Sequence, residues 1–421
     1  MNLKIKSEEK TVIEKKCLTI ALEVFPLSEE CLTGIGYTAK NIVEHLMKID
    51  VANRYFLYFK DKNPHINLPN QQWNEISIGF RHFFEKKSFF YHQLKNKKNK
   101  TIIGKYIFYY LICKFLTTLY DIYLPLHLNK IKADIYIGFS HNYLPPFFLR
   151  KKIKKGVFLY DTVWKLFPET MEWSNKIKTV INEIYNLPRT DFLLSISNNT
   201  RNDFLKFCQY KKDIYIVHLA ADSENFRPAS GQYIESVKIK YNTGDKYILA
   251  VGTIEPRKNL TTLLKAFANI SNQNLKLVFA GKKGWLNDDF FSLLDSLNIR
   301  DKVIFTGYTT VDELAALYSG AKAFVFPSIY EGFGLPLLEA MGCGCPVIAS
   351  NCSSIPEITE DAAMLFNPNN HQELAQCINK MMEDENLRND YIQKGFIQFQ
   401  KFHWEKSAQE IIKIINSEAD K

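Results

Sequence analysis

The chain has 421 residues, 46% hydrophobic and 24% charged, which is globular composition at a length that predicts two units of about 200 residues each. Its net charge of +9 is concentrated in Arg81 to Lys105, with eight Lys/Arg against the single acid Glu85, and in Arg150 to Lys155, with five more. No zinc-finger spacing or RNA-binding aromatic motif accompanies these runs, so nucleic acid is set aside as a partner.

The opening residues, MNLKIKSEEKTVIEKK, lack the apolar core of a signal peptide. The eight cysteines form no C-x-x-C pair and read as reduced thiols of a cytoplasmic protein. Cys17 to Phe25 is the first predicted strand. A loop from Pro26 to Gly36 follows, then a helix from Thr38 to Met47 with Ile42, Val43 and Leu46 on one face. Glycines Gly34 and Gly36 in that turn would let a ligand's phosphate approach the backbone.

Further strands are predicted at Val51 to Leu57 and Ile76 to Ile78. Tyr106 to Leu126 has the length of a membrane span, but Lys114, Asp121 and its dense tyrosines argue against one. Strands follow at Ala133 to Phe139, Gly156 to Tyr160, Phe192 to Ser197 and Ile214 to Leu219. Arg227 to Lys246 loses apolar periodicity and reads as a linker, with a short helix within it as the alternative. Strand and helix then alternate through Tyr247 to Val251, Leu260 to Ile270, Leu275 to Ala280, Val303 to Thr306, Ala323 to Phe326 and Val347 to Ser350. That alternation predicts a parallel, doubly wound sheet. An amphipathic helix from Phe402 to Ile415 closes the chain.

Besides the turn at Gly34 and Gly36, two stretches carry candidate chemistry. In FVFPSIYEGFGLPLLEAMGCGCPVIAS, Glu331 falls on a loop after a strand, Pro336 suits a first helical turn, and Glu339 follows eight residues after Glu331. The free N–H groups of Gly332, Phe333, Gly334, Leu335 and their neighbours would suit a phosphate, and a carboxylate suits a sugar diol. In VGTIEPRKN, Gly252 precedes Arg257 and Lys258. These are two cations at a helix start where the dipole prefers acids, a conflict an anionic ligand would resolve. Neither an Asp-x-Asp nor a His/Cys cluster is visible, so no metal is expected.

Read alone, each stretch has an ordinary structural explanation. Together, EGFGLPLLEAMGCGCPVIAS, GTIEPRKN and the TGIGY loop resemble the retaining glycosyltransferases of family 4, also called group 1. The resemblance covers most of the chain and is weakest from Leu57 to Ala133. It implies an α/β GT-B architecture of two Rossmann-like, doubly wound parallel-sheet domains across a cleft. The expected division is an acceptor-binding domain at 1–226, a nucleotide-sugar-binding domain at 227–400, and a helix at 401–421 crossing back to the first. It implies Arg257 and Lys258 as diphosphate ligands, Glu339 at the nucleotide, and Gly281 and Tyr308 as donor-cleft residues. Glu331 and Asp161 are the expected catalytic pair. Asp161 stands after Tyr160, where many relatives carry His, and an Asp there also suits a helix cap. Ser353, Ser354 and Glu357 match the family pattern too, with helix capping as an equal explanation.

The implied reaction is transfer of a sugar from a nucleotide diphosphate sugar, GDP-mannose ahead of UDP-sugars, to a hydroxyl of a glycan or lipid-linked glycan. No cofactor or metal is expected. The aromatic and basic residues from Arg81 to Tyr123 raise an anionic membrane surface as a partner, with peripheral attachment to the inner face of the cytoplasmic membrane. A nucleotide-sugar epimerase and a non-enzymatic nucleotide-sugar binder are the rival readings.

Overall fold

The structure is a computed structural model, and it describes residues 17–29, 32–60, 63–77, 123–140, 152–171, 187–270, 274–282, 284 and 288–421. Two entirely parallel sheets carry the fold. The first contains β1 (Thr19–Glu23), β2 (Arg54–Phe59), β3 (Trp73–Ser77), β4 (Ile135–Gly138), β5 (Lys154–Leu159), β6 (Phe192–Ser195) and β7 (Asp213–Ile216), in the order β3-β2-β1-β4-β5-β6-β7. The second contains β8 (Tyr247–Val251), β9 (Lys276–Ala280), β10 (Val303–Gly307), β11 (Ala323–Phe326), β12 (Val347–Ser350) and β13 (Ala363–Phe366), in the order β10-β9-β8-β11-β12-β13. The central strands are near-continuous apolar runs because helices cover both faces of each sheet. Ile20, Leu57 and Ile137 pack beneath the helix Gly34–Ile49, whereas Ala21, Tyr136 and Leu193 face a separate cluster with Leu124, Leu128 and Phe204.

Each sheet reverses its strand order once, between β1 and β4 in the first and between β8 and β11 in the second. Such switch points open a crevice beyond the carboxyl ends of the strands. Glu23 ends β1, with Gly34 and Gly36 following, while Gly252 ends β8 and Pro327 to Gly334 follow β11. Topology alone therefore delivers the sequence motifs to two crevices.

Several elements differ from expectation. The helix predicted from Thr38 begins at Gly34, with Thr33 as its N-cap, so both glycines lie in its first turn. Gly36 is tightly packed there, since a Cβ would stand 3.2 Å from Pro26 O, whereas Gly34 faces open space. The expected linker contains a helix, Gly231–Tyr241, capped by Ser230. Its apolar contacts reduce to Ile234, Val237 and Tyr241, too few to set a period, and it is held by Glu313, which pairs with Lys240 and accepts from Tyr241 Oη at 3.0 Å. The second basic run is also less free than its charge suggests. Lys154 lies 3.8 Å from Glu418 and Lys155 3.6 Å from Asp191. The first basic run and most of its aromatics, with residues 106–122 of the Tyr106 to Leu126 stretch, lie outside the described residues. Among the described residues no helix is long and apolar enough to cross a membrane. All six described cysteines are free thiols.

The closing helix Trp404–Asp420 packs along Gly34–Ile49, burying Ala408, Ile411, Ile414 and Ile415 beside Ile42, Val43 and Leu46. Its polar anchors reach the same half: Ser407 Oγ donates to His218 O at 2.6 Å, and Tyr215 Oη donates to the buried Glu418 at 2.7 Å. Truncating Ile414 to alanine is expected to cost about 2–5 kcal/mol, the range for a fully buried aliphatic side chain. A thermal melt of Ile414→Ala with an unchanged midpoint would show that this helix contributes nothing to holding the first sheet.

Candidate functional site

The β8/β11 crevice is floored by bare backbone. Gly252, Gly281 and Gly307 stand side by side at the ends of β8, β9 and β10, with φ of 129°, 148° and 69°. Gly252 N donates to Ala280 O at 2.9 Å and Gly281 N to Gly307 O at 3.0 Å. A Cβ on Gly281 would lie 2.1 Å from Gly252 O. Glycine is thus required twice over at this position, by its φ and by the close approach. Tyr308, the residue after Gly307, is 64% exposed, and Lys282 Nζ sits 5.2 Å from its ring centroid. A pocket beside this row is lined by Gly252, Thr253, Lys258, Phe326 and Ser328.

Arg257 and Lys258 occupy a single 3-10 turn, Pro256–Lys258, rather than a helix start. Asn259 ends the turn in the left-handed region and its side-chain amide donates to Pro327 O at 3.1 Å and Pro368 O at 2.9 Å. Ile329 N donates to Arg257 O at 3.0 Å, so the loops after β8 and β11 are stitched together. The conflict of two cations near a helix start is settled within the protein, by carboxylates. Arg257 Nη2 contacts Glu255 Oε1 at 2.6 Å, Arg257 Nη1 contacts Glu331 Oε2 at 2.8 Å, and Lys258 Nζ contacts Glu331 Oε1 at 2.7 Å. Arg257, Lys258, Glu255 and Glu331 sum to zero charge, so the two cations are balanced by the protein's own carboxylates.

Glu331 is the centre of this cluster. Only 8% of it is exposed, and burial opposes its charge, yet Arg257 and Lys258 outweigh that and hold its pKa at about 2. Burial likewise works against the Arg257 charge and is outweighed by Glu331 and Glu255, so its pKa is raised. The Glu331 backbone is fixed as well. Its N–H donates to Ser353 Oγ at 3.0 Å, and its carbonyl and that of Phe333 both accept from Ser354 Oγ at 2.9 Å. These serines hold the loop instead of capping the helix Ile355–Thr359, where Ser354 makes no side-chain cap bond.

Glu339 lies in the helix Leu335–Gly342, opened by Gly334 at φ 106° and by Pro336. It is half-buried, and desolvation pushes its pKa up to about 7 against the opposing hydrogen bond from Tyr318 Oη at 3.1 Å and the Lys258 charge. Phe333 turns its ring away from the crevice to pack with His218 and Phe402, so only its backbone borders the loop. Leu335 is half-buried at the helix start.

The first sheet meets this loop directly. Gly332 packs so tightly on Tyr160 that a Cβ would stand 1.8 Å from Tyr160 O and 3.3 Å from Asp161 Cβ. Asp161 Oδ1 accepts from Val163 N at 3.2 Å, a local cap, and its charge also reaches Arg257. Tyr160 is a buried phenol that desolvation keeps protonated. Glu357 does cap a helix, but one of the first sheet: it accepts from Asn198 N at 2.8 Å and Asn199 N at 2.9 Å, and His218 Nε2 lies 3.0 Å away. Gly34 and Gly36 belong to the other switch point, after β1. Among the described residues no three His, Cys, Asp or Glu side chains converge as a metal would require.

Sequence reasoning missed Glu255, Tyr318, Ser197 and Thr200 as members of the site's surroundings. Glu255 was open to view, an acid two residues from Arg257. The others join only through the strand order.

A sign follows for pH. A carboxyl that binds its proton more tightly folded than unfolded stabilises the fold less as pH rises. Glu339, raised from 4.5 to about 7, acts between pH 4.5 and 7, and Glu23, raised from 4.5 to about 6 by burial, between pH 4.5 and 6. Glu331 acts oppositely, its contribution being present above pH 4.5 and lost toward pH 2. Glu339→Gln is expected to flatten the decline between pH 4.5 and 7, gaining on the order of 1–3 kcal/mol at pH 7.5. Thermal midpoints of the wild type and Glu339→Gln across that range check this, and parallel curves would refute it.

The profile of the family described as "Glycosyl transferases group 1" matches residues 233–398. O-antigen chain mannosyltransferase B of Escherichia coli is 29% identical over 290 residues, 68% of this chain and 74% of its own. The serotype-specific mannosyltransferase WbdA of Escherichia coli is 33% identical over 235 residues, but these are 54% of this chain and only 29% of WbdA. Among solved structures, Anabaena Alr3699/HepE in complex with UDP and glucose superposes with a TM-score of 0.67 at 15% identity, covering 95% of this chain and 100% of that one. WaaG, a glycosyltransferase involved in lipopolysaccharide biosynthesis, superposes with a TM-score of 0.63 at 14% identity, covering 94% and 99%.

Proposed function

Because the chain belongs to the family 4, group 1 glycosyltransferases of GT-B fold, we propose that it transfers mannose from GDP-mannose to a hydroxyl of a surface glycan or its lipid-linked precursor. The observation that carries this reading is the Arg257–Glu331–Lys258 cluster beside the glycine-floored crevice. Fork-shaped Arg257 and point-charge Lys258 suit the two phosphates of a nucleotide diphosphate. As the diphosphate draws those cations, Glu331 is left with free acceptor oxygens for a hydroxyl of the donor sugar. Glu339 receives the ribose diol, and Tyr308 borders the base. Residues 1–226 bind the acceptor, residues 227–400 bind the donor, and 401–421 tie them together. Asp161, beside Gly332, faces the reacting sugar from the acceptor side.

Retention of configuration by two displacements needs a carboxylate nucleophile beneath the anomeric carbon. Glu331 is committed to cations and sugar, so we favour attack by the acceptor on the face the diphosphate leaves, with Arg257 and Lys258 stabilising that leaving group. No metal enters this scheme. The mannosyltransferase relatives favour mannose. The UDP and glucose of the Anabaena structure keep a UDP-sugar donor as the second reading.

A thermal-shift screen of GDP-mannose, UDP-glucose and the free nucleotides tests the donor. A ligand at 100 times its dissociation constant adds about 2.7 kcal/mol to stability. Shifts with GDP-mannose and GDP and none with the uridine ligands are expected, shifts only with UDP and UDP-glucose select the second reading, and none at all overturns both.

Lys258→Ala and Glu339→Ala should each weaken donor binding by roughly 10- to 150-fold, the worth of a charge-assisted hydrogen bond. Glu331→Ala should instead lower kcat with donor saturating. A Glu331→Ala enzyme changed only in KM would contradict its assignment to the sugar.

We also propose that the enzyme works on an anionic membrane surface through the aromatic and basic residues between Arg81 and Tyr123. Each basic residue near such a surface adds about 1 kcal/mol. Sedimentation with anionic liposomes should capture the protein, weaken in high salt, and fail when Lys95, Lys97, Lys98 and Lys100 become Ser. Equal recovery on neutral vesicles would remove the membrane from the scheme.

A further inference from the structure

The contact between the two sheets falls on the residues flanking Glu331. Ahead of it, Tyr330 Oη meets Thr162 Oγ1 at 2.7 Å. After it, Gly332 O accepts from Ser197 Oγ at 2.7 Å and Thr200 Oγ1 at 3.1 Å. Thr162, Ser197 and Thr200 all belong to the first sheet's half, each at most 1% exposed. A carbonyl has two lone pairs, and both on Gly332 are taken, so the plane of that peptide is fixed.

From the second sheet's half, Ser353 Oγ takes the Glu331 N–H of the peptide ahead of Glu331, and Ser354 Oγ donates to the Glu331 carbonyl of the peptide after it. Arg257 Nη1 adds a bond to Tyr330 O at 2.8 Å. The backbone of Glu331 is thus clamped between two halves of the molecule. A turn of the Gly332 peptide would swing the Glu331 carboxylate off Arg257 and Lys258. No side chain could stand at Gly332, where Tyr160 O fills the space of a Cβ.

We infer that Thr162, Ser197 and Thr200 are positioning residues for Glu331: the acceptor-side half, through three hydroxyls, sets the geometry of the donor-side carboxylate, so the carboxylate is aligned only when the two halves meet. This rests on the reading of Glu331 as the residue that holds the donor sugar. It goes beyond that reading by making the seam part of the machinery. Donor affinity, which depends on Arg257, Lys258 and Glu339, should be indifferent to these hydroxyls, whereas turnover should depend on them.

The test uses the full chain carrying Thr200→Val, Thr162→Val or Tyr330→Phe, which delete hydroxyls at nearly constant shape, and Thr200→Ser, which keeps one. Ser197 also caps its own helix through Thr200 N, so it is left intact. Hydrogen exchange is followed on the peptide 329–336 and on β8 and β11, without ligand. Binding of GDP and of UDP is titrated separately, and kcat and KM are measured with the donor the screen selects. Thr200→Val and Tyr330→Phe should raise exchange of 329–336 about fivefold or more and leave β8 and β11 unchanged. Nucleotide affinity should hold within about twofold while kcat falls about tenfold, and Thr200→Ser should restore both exchange and kcat.

Unchanged exchange at 329–336 in both variants would overturn the inference. So would a rise spread equally over β8 and β11, which marks the hydroxyls as ordinary packing, or a Thr200→Ser enzyme as impaired as Thr200→Val. The exchange arm uses no nucleotide, so failure of the donor assignment and failure of the seam are read separately.

Discussion

Glu331 held between Arg257 and Lys258 is the interaction on which the crevice depends. Burying three charges is costly, and the mutual attraction offsets that only when the geometry is held tightly. The surrounding structure supplies the hold. Asn259 ties the cation turn to the residues after β11 and β13, Ser353 and Ser354 grip the Glu331 backbone, and Gly332 leaves room for Tyr160 to close over it. Each of these small residues has its reason in the ion cluster. Conversely, the cluster has a use for its own burial: water is kept from a pair of cations that would otherwise be screened and mobile.

The strand order explains why the cluster can exist. Arg257 and Glu331 are 74 positions apart and meet because β8 and β11 are neighbours at the point where the second sheet reverses. The same reversal in the first sheet places Glu23 at the end of β1, where it accepts from Phe25 N at 2.9 Å, Ser140 N at 2.8 Å and Ser140 Oγ at 2.6 Å. One crevice thus carries a charge-balanced ionic cluster, the other a buried acid satisfied by neutral donors. The Glu331 pKa falls and the Glu23 pKa rises for that reason.

Much of this was legible beforehand, and the reasons are local. Buried parallel strands are short apolar runs separated by helices, so the alternation after Tyr247 could be read directly, as could E-x7-E and the EPRKN turn. What escaped depended on distant partners. The helix Gly231–Tyr241 has too few apolar positions to announce itself and is held by Glu313 from another helix. Ser353 adopts φ 52° and bonds backwards to Glu331, so a serine before a helix looked like a cap. The two cations looked unbalanced because Glu331, which pairs with both, is distant in sequence. The start of the first helix was placed late because glycines read as loop, although Thr33 caps directly ahead of them.

Glu357 completes the start of a helix that lies 159 residues before it, and Trp404–Asp420 covers the apolar face of Gly34–Ile49. During synthesis the first sheet therefore emerges with one helix capped by Ser197 alone and another uncovered. The first gap closes once Glu357 has been made, and the second persists until roughly 200 more residues have been added, a wait of about 10–40 s at about 5–20 residues per second. The amino-terminal half is then a partly finished surface, sticky to itself and to holding chaperones. Its completion is timed by the arrival of the carboxyl-terminal half rather than by its own collapse.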